Sequence, residues 1–284
     1  MSARTSFRLT MRCPDRHGIV ARVAAAIAGA DGWITEASQH TDTQEGWFFM
    51  RWVFSLPAEG ETALRDRLAA LAPELAMDWW LNATDARPRV VLMASREPHC
   101  LSDLLARWGA GELPMEIPAI LSNHRDLEPL AACYDIPFEH LPVQRETREA
   151  DFQRLQQRLG ELDPDAIVLA RYMQILPPVM CATWPERIIN IHHSFLPSFV
   201  GAYPYHQAFA RGVKLIGATC HYVTEELDAG PIIEQDVTRI RHDDTVKDLI
   251  RKGRDVERWV LARGLRYHLE GRVLTHGNKT IVFN

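Results

Sequence analysis

The chain has 284 residues, 46% of them hydrophobic and 24% charged, with a formal net charge of −5. That balance describes one large or two ordinary globular domains and argues against a disordered chain, a nucleic-acid surface or a membrane surface. Five scattered cysteines without a CxxC pair indicate neither a disulfide framework nor a cysteine zinc site, and with no signal-peptide core or membrane-length apolar run a cytoplasmic protein is expected.

In chain order, residues 6–13 (SFRLTMRC) read as a strand and residues 17–30 (HGIVARVAAAIAGA) as an apolar helix opened by the turn Pro14-Asp15-Arg16. Residues 33–41 and 46–55 follow as strands around the polar turn TQEG, with Trp33, Trp47 and Trp52 as candidate core residues. Residues 61–72 carry leucines at helical spacing, and residues 75–82 (LAMDWWLN) form a last strand. The order βαββαβ is a ferredoxin-like split unit. It closes near Asn82 ahead of a short linker at residues 83–89, so the expected domains are residues 1–84 and 85–284.

Beyond the linker, short apolar strands alternate with helices. Residues 89–95, 117–123, 138–143, 165–172 and 187–194 are mostly of the type buried in parallel sheets, with helices expected around residues 101–108, 127–134 and 150–159. The fold class is therefore α/β: a ferredoxin-like domain, then a Rossmann-like domain whose sheet is mostly parallel. Such sheets bind ligands beyond the carboxyl ends of their strands. Residues 215–223 and 231–240 bracket a loop at residues 224–230, and a closing helix is expected over residues 245–269.

One strand of this second part ends in chemistry. In NIHHSFLPSF (residues 190–199), alternation puts Asn190, His192 and Ser194 on one face and His193 on the other. Downstream, VTEELDAGPI sets Asp228 among apolar neighbours, with Gly230 as a hinge and Pro231 fixing the loop's exit. An amide donor, an imidazole and a carboxylate are the parts needed to add a nucleophile to a carbonyl. The same three residues also read as a strand cap, a core histidine and a turn carboxylate, and spacing alone does not separate the readings. His221 is either a contact to the site or a buried structural residue. A metal held by His192, His193, His206, His221 and Asp228 is disfavoured, because adjacent histidines on a strand diverge and neither HExxH nor HxH occurs.

Asn190-Ile191-His192, Ser194, Leu196-Pro197 and, 36 residues after His192, Asp228-x-Gly-Pro resemble the signature of the folate-dependent formyltransferases. The resemblance spans residues 89–284 and includes ARYMQILPP (residues 170–178), which resembles that family's folate-pocket segment. It implies catalytic roles for Asn190, His192 and Asp228, substrate contacts from Met173, Gln174, Ile175, Leu176, Thr224 and Glu225, and supporting roles for His193 and His221. Within the family, IINIHHSFLPSF, PYHQAFARGVKLIGATCHYVT and GPIIEQDV are similar to the branch that hydrolyses its folate. CPDRHGIVARVAAAIA is similar to the ACT domain that precedes catalysis in that branch. ACT domains commonly bind amino acids at paired interfaces, which implies an effector near Asp15, His17, Gly18 and Ile19 and a homo-oligomer, dimer or tetramer.

Hydrolysis is expected over transfer. A transferase acting on a phosphorylated acceptor needs small residues after the first strand so that backbone N–H groups converge on phosphate. Here that turn is Ser95-Arg96-Glu97-Pro98-His99-Cys100, without glycine and with a carboxylate. His193 stands where transferases carry Pro, and no basic RNA-binding domain follows. The resemblance thus implies hydrolysis of 10-formyltetrahydrofolate to tetrahydrofolate and formate for purine and one-carbon metabolism, with no cofactor or metal beyond the folate itself. The alternatives are formyl transfer to a small amine and a non-catalytic folate sensor. Val200 and Tyr203 depart from a family string with a basic residue there, which leaves Arg96 or Lys214 as candidates for the folate's glutamate tail.

Overall fold

Period-two alternation builds the first unit. In β1 (Arg4–Pro14), Phe7, Leu9, Met11 and Cys13 enter one apolar core while Arg8, Thr10 and Arg12 alternate with them. α1 (Ile19–Ala28), β2 (Trp33–Asp42), β3 (Trp47–Pro57), α2 (Gly60–Leu75) and β4 (Asp78–Ala83) complete the βαββαβ order. The strands form an antiparallel sheet in the order β2-β3-β1-β4. α1 and α2 contribute Val23, Ile27, Leu64 and Leu68 to the core, spaced four apart as one helix face requires. The expectation for Trp33 does not hold: on the edge strand β2 it is exposed, while Trp52 is buried.

The computed structural model describes residues 4–197 and 204–284. Chain contacts divide it into two units, Met1–Ala86 with Glu270–His276 and Thr280–Asn284, and Arg87–Leu269 with Gly277–Lys279.

The second unit alternates as expected. It runs β5 (Val90–Ala94), α3 (His99–Gly109), β6 (Ile120–Ser122), α4 (Glu128–Ala132), β7 (Phe138–His140), α5 (Arg148–Leu162) and β8 (Ala166–Leu169). It continues with α6 (Pro178–Thr183), β9 (Ile188–His192), α7 (Pro204–Arg211), β10 (Leu215–Tyr222), β11 (Ile232–Arg239) and α8 (Val246–Leu269). Every residue of β5, β6 and β8 is buried, because helices cover both faces of a parallel sheet. The order is β11-β10-β9-β8-β5-β6-β7, parallel from β9 to β7 and antiparallel at β10 and β11. From β5 the chain winds outward through β6 and β7, then returns to the other side as β8. The order therefore reverses between β5 and β8, and a crevice opens at their carboxyl ends.

After α8 the chain adds a hairpin that was not read from the sequence, β12 (Val273–His276) with β13 (Lys279–Val282). Leu274 and Phe283 pack with Phe49 of β3, and Arg12 donates to the Thr275 carbonyl at 2.5 Å. This is why β3 carries Phe49 and Arg51 buried on the face away from the helices. Among the described residues no helix is long and apolar enough to cross a membrane.

Candidate active site

The carboxyl ends of β8 and β9, the start of α8 and the loop after β10 enclose a cleft of about 730 Å³. Asn190, His192, His193, His221, Asp228, Met173, Gln174, Ile175, Leu176, Thr224 and Glu225 all line it. Asp15, His17 and Gly18 belong to the first unit and are exposed at the turn into α1, where Gly18 takes φ 87°, and Ile19 is buried in that unit's core. Val200 and Tyr203 lie outside the described residues, and neither Arg96 nor Lys214 lines the cleft.

Strand pairing sets the polar centre. β9 and β10 run antiparallel with Asn190 opposite His221, so the two side chains share a face. His221 Nδ1 lies 2.9 Å from the Tyr222 carbonyl, which makes Nδ1 the protonated nitrogen and Nε2 an acceptor. Asn190 Nδ2 donates to that Nε2 at 3.2 Å, and its second N–H is left to point elsewhere. Burial lowers the pKa of His221 and so favours this neutral tautomer.

His192, next on the same face, brings Nδ1 to 3.3 Å from Asp228 Oδ2. Its Nε2 is buried without a hydrogen-bond partner among the described residues. Burial pushes Asp228 up, but the hydrogen bond from His192 and the nearby imidazoles of His192, His221 and His193 outweigh it and hold the carboxyl below its ordinary range. Asp228 itself adopts φ 55°, a left-handed conformation that a non-glycine residue takes only where its surroundings hold it. Gly230 serves close approach rather than hinging, since a Cβ there would lie 1.9 Å from the Tyr222 carbonyl oxygen.

The sequence reading put His193 on the far face. β9 ends at His192, so strict alternation stops there, and the two imidazoles lie 5.1 Å apart and line the same cleft. Burial, aided by Arg171, depresses His193 to about 4. Ser194 has left the strand; its carbonyl accepts from Thr219, whose hydroxyl also receives the Leu196 N–H.

One wall of the cleft is apolar. Met173 and Ile175 are 55% and 58% exposed, and Leu227 is similarly open. Large apolar side chains left open inside a concave surface mark a ligand face. The segment is held from behind: Ser95 Oγ accepts the Met173 N–H at 3.0 Å and donates to Asn123 Oδ1 at 2.6 Å, and Arg148 donates to the Ile175 carbonyl at 2.7 Å.

A second, charged part of the lining was not anticipated. Glu257 of α8, 1% exposed, accepts from Tyr205 at 2.6 Å, bonds His99 Nε2 at 2.8 Å and pairs with Arg171 at 3.4 Å. Burial alone would raise it, but the bond to His99 and the Arg171 charge bring it to about 2. Glu257 sits on the apolar stripe of α8 with Leu249, Gly253, Val260 and Leu261, and an acid on such a stripe was the available signal. His99, Cys100 and Glu257 bring three ligand-type atoms within 4.8 Å, but both Glu257 oxygens are already bonded, burial keeps the Cys100 thiol protonated, and Arg171 stands beside them. That donor set suits an ion cluster better than a cation.

Residues 7–73 match the ACT domain and residues 88–265 match the formyl transferase family. A formyltetrahydrofolate deformylase of Synechocystis sp. is 48% identical, with 97% of each chain covered. The solved structure of a formyltetrahydrofolate deformylase from Pseudomonas syringae is 55% identical with a TM-score of 0.96, over 100% of this chain and 96% of that one. A glycinamide ribonucleotide transformylase from Symbiobacterium toebii is similar over 70% of this chain and 95% of its own, at 30% identity and a TM-score of 0.65. With an ACT unit, a formyl transferase unit and end-to-end similarity of this degree, the chain belongs to the formyltetrahydrofolate deformylase family.

Proposed function

We propose that Asn190, His192 and Asp228 carry out the reaction of this family in this chain, the hydrolysis of 10-formyltetrahydrofolate to tetrahydrofolate and formate. The observation that supports these roles most is the hydrogen-bonded set Asn190–His221 and His192–Asp228 beside an exposed apolar wall in one cleft. The folate rings lie against Met173, Ile175 and Leu227, with Gln174, Leu176, Thr224 and Glu225 around them. The formyl group then faces Asn190.

Asp228, held ionised, takes a proton from water as the water oxygen bonds to the formyl carbon. The oxyanion that forms accepts the second N–H of Asn190, whose amide is already oriented by His221. The C–N10 bond then breaks, N10 receives a proton through His192, and formate leaves to one-carbon and purine metabolism. His192 is suited to this transfer because Nδ1 faces Asp228 while Nε2 has no protein partner among the described residues. The chain's own residues and water supply every step, so no cofactor or metal enters this reading.

The first unit is read as a regulatory domain spanning residues 1–84, ahead of a catalytic domain over residues 85–284 whose terminal hairpin returns to it. It would bind an amino-acid effector at Asp15, His17 and Gly18, with Ile19 anchoring the turn, in a cytoplasmic dimer or tetramer. Calorimetry with individual amino acids checks the effector, and no heat from any of them removes it. The catalytic reading is tested with purified protein, 10-formyltetrahydrofolate and no amine. Equimolar formate and tetrahydrofolate are expected; consumption only when an amine is added would favour transfer, and binding without turnover would favour a sensor.

A further inference from the structure

We propose that the charged wall of Glu97, His99, Arg171, Tyr205, Arg254 and Glu257 excludes amine acceptors from the cleft, leaving water as the nucleophile. The inference rests on the hydrolytic reading above and goes to what enforces it. All six residues line the same cleft as the catalytic set. The wall begins next to the reacting centre: His193 has its ring 5.1 Å from that of His192 and 6.2 Å from that of Tyr205. With folate along the apolar wall, an amine approaching the formyl carbon would have to occupy the space this wall bounds.

The wall is assembled from five separate segments: the turn after β5, the start of α3, the turn after β8, α7 and α8. Acidic and basic residues alternate along it, with Arg254–Glu97 at 2.5 Å, Glu97–His99 at 3.8 Å, His99–Glu257 at 2.8 Å and Glu257–Arg171 at 3.4 Å. An ammonium group needs an anion to hold it, and a neutral amine needs an acceptor. Glu257 offers neither, since one oxygen takes the Tyr205 hydroxyl and the other takes His99 and Arg171. The guanidinium of Arg171 adds repulsion toward any cation. Water, with no charge and no substituent, escapes both obstacles.

Two backbone features show that the wall is fitted closely. At Gly253 a Cβ would lie 2.1 Å from the Tyr205 hydroxyl oxygen, so only glycine lets that ring reach Glu257. Arg171 adopts φ 64°, a left-handed conformation that strains a non-glycine residue. Glycine would occupy that position without strain. The side chain is kept there because its charge is anchored on Glu257.

Formyl transfer would form a bond from the amine nitrogen to the formyl carbon and break the C–N10 bond. One amine proton would end on N10, and the products would be a formamide and tetrahydrofolate. The test measures formate and N-formylglycinamide together as 10-formyltetrahydrofolate is consumed with and without excess glycinamide. Wild type should give formate alone. Arg171→Gly, which suits the backbone, and Glu257→Gln should divert roughly a tenth or more of turnover into the formamide, in proportion to added amine. Tyr205→Phe keeps the ring and frees one Glu257 oxygen; it should do the same to a smaller extent and carries the test if the other two do not fold. Variants that still release formate but make no more formamide than wild type would overturn the proposal. Absence of formate from wild type would instead strike the hydrolytic reading.

Discussion

On one wall of the cleft Met173, Ile175 and Leu227 are more than half exposed, whereas on the other Glu257 is 1% exposed with both oxygens bonded. The apolar wall leaves surface unsatisfied, and burial by a ligand would gain free energy there. The Glu257 carboxylate at the heart of the charged wall is satisfied by its neighbours, and a ligand would have to break bonds to use it. Asn190, His192 and Asp228, lining the same cleft, hold donors and acceptors only partly committed to each other. The difference separates three tasks by the state of their hydrogen bonds: binding, chemistry and exclusion.

The largest effect expected concerns the centre. Asp228→Asn keeps the shape but removes the charge and the proton acceptor, and should lower hydrolysis about 10³-fold or more while folate binding persists. Titration calorimetry beside a formate assay reads both. If Asp228 served only as a left-handed turn residue, Asn would suit the position and activity would stay near wild type. Asn190→Ala should cost about 10²- to 10³-fold in kcat with little change in KM, the usual consequence of losing one oxyanion donor. A rise in KM alone would move Asn190 to the binding wall.

A smaller effect probes that wall directly. Met173→Ala should raise KM by about tenfold and leave kcat unchanged, because it removes apolar surface from an exposed contact without touching the reacting atoms. An unchanged KM would mean that the folate lies elsewhere. A last effect concerns stability rather than turnover, at His193. His193 titrates near 4 in the folded protein, held down by burial and by Arg171 against the opposing charges of Glu257 and Asp228, with His192 adding to the depression. An unfolded histidine takes its proton near 6.5, so the unfolded state binds more protons between those values. This contribution is fully present above about 6.5 and is lost as the pH falls toward 4, by at most about 1.4 kcal/mol per pH unit. Denaturation of His193→Asn across that window should show a shallower slope than wild type, and an identical slope would remove His193 as the source.

The sequence made the fold and the reacting centre legible for different reasons. Strands such as β1 and β5 carry their own periodicity or continuous burial, and Asn190, His192 and Asp228 fall in motifs that a resemblance could pick out. Gln174 and Thr224 were reached only through that resemblance, since nothing in their local pattern marks them. Glu257 lies in a helix rich in charge, RKGRDVERWV, where one more acid reads as surface. Its partners come from residues 99, 171 and 205, and only folding brings them together. The terminal hairpin was missed because its strands, VLTH and KTIV, mix polar with apolar residues and lack the continuous apolar run that marked strands as short as β6 and β8. His193 was misplaced because alternation was extended one residue past the end of β9.

The most direct test of the division between the walls is a crystal structure of Asp228→Asn with 10-formyltetrahydrofolate bound. The pterin should lie between Met173–Ile175 and Leu227, with the formyl oxygen within hydrogen-bonding distance of Asn190 Nδ2 and the Arg171–Glu257 pair intact. A folate seated against Arg171 and Glu257, or a formyl group out of reach of Asn190, would contradict it.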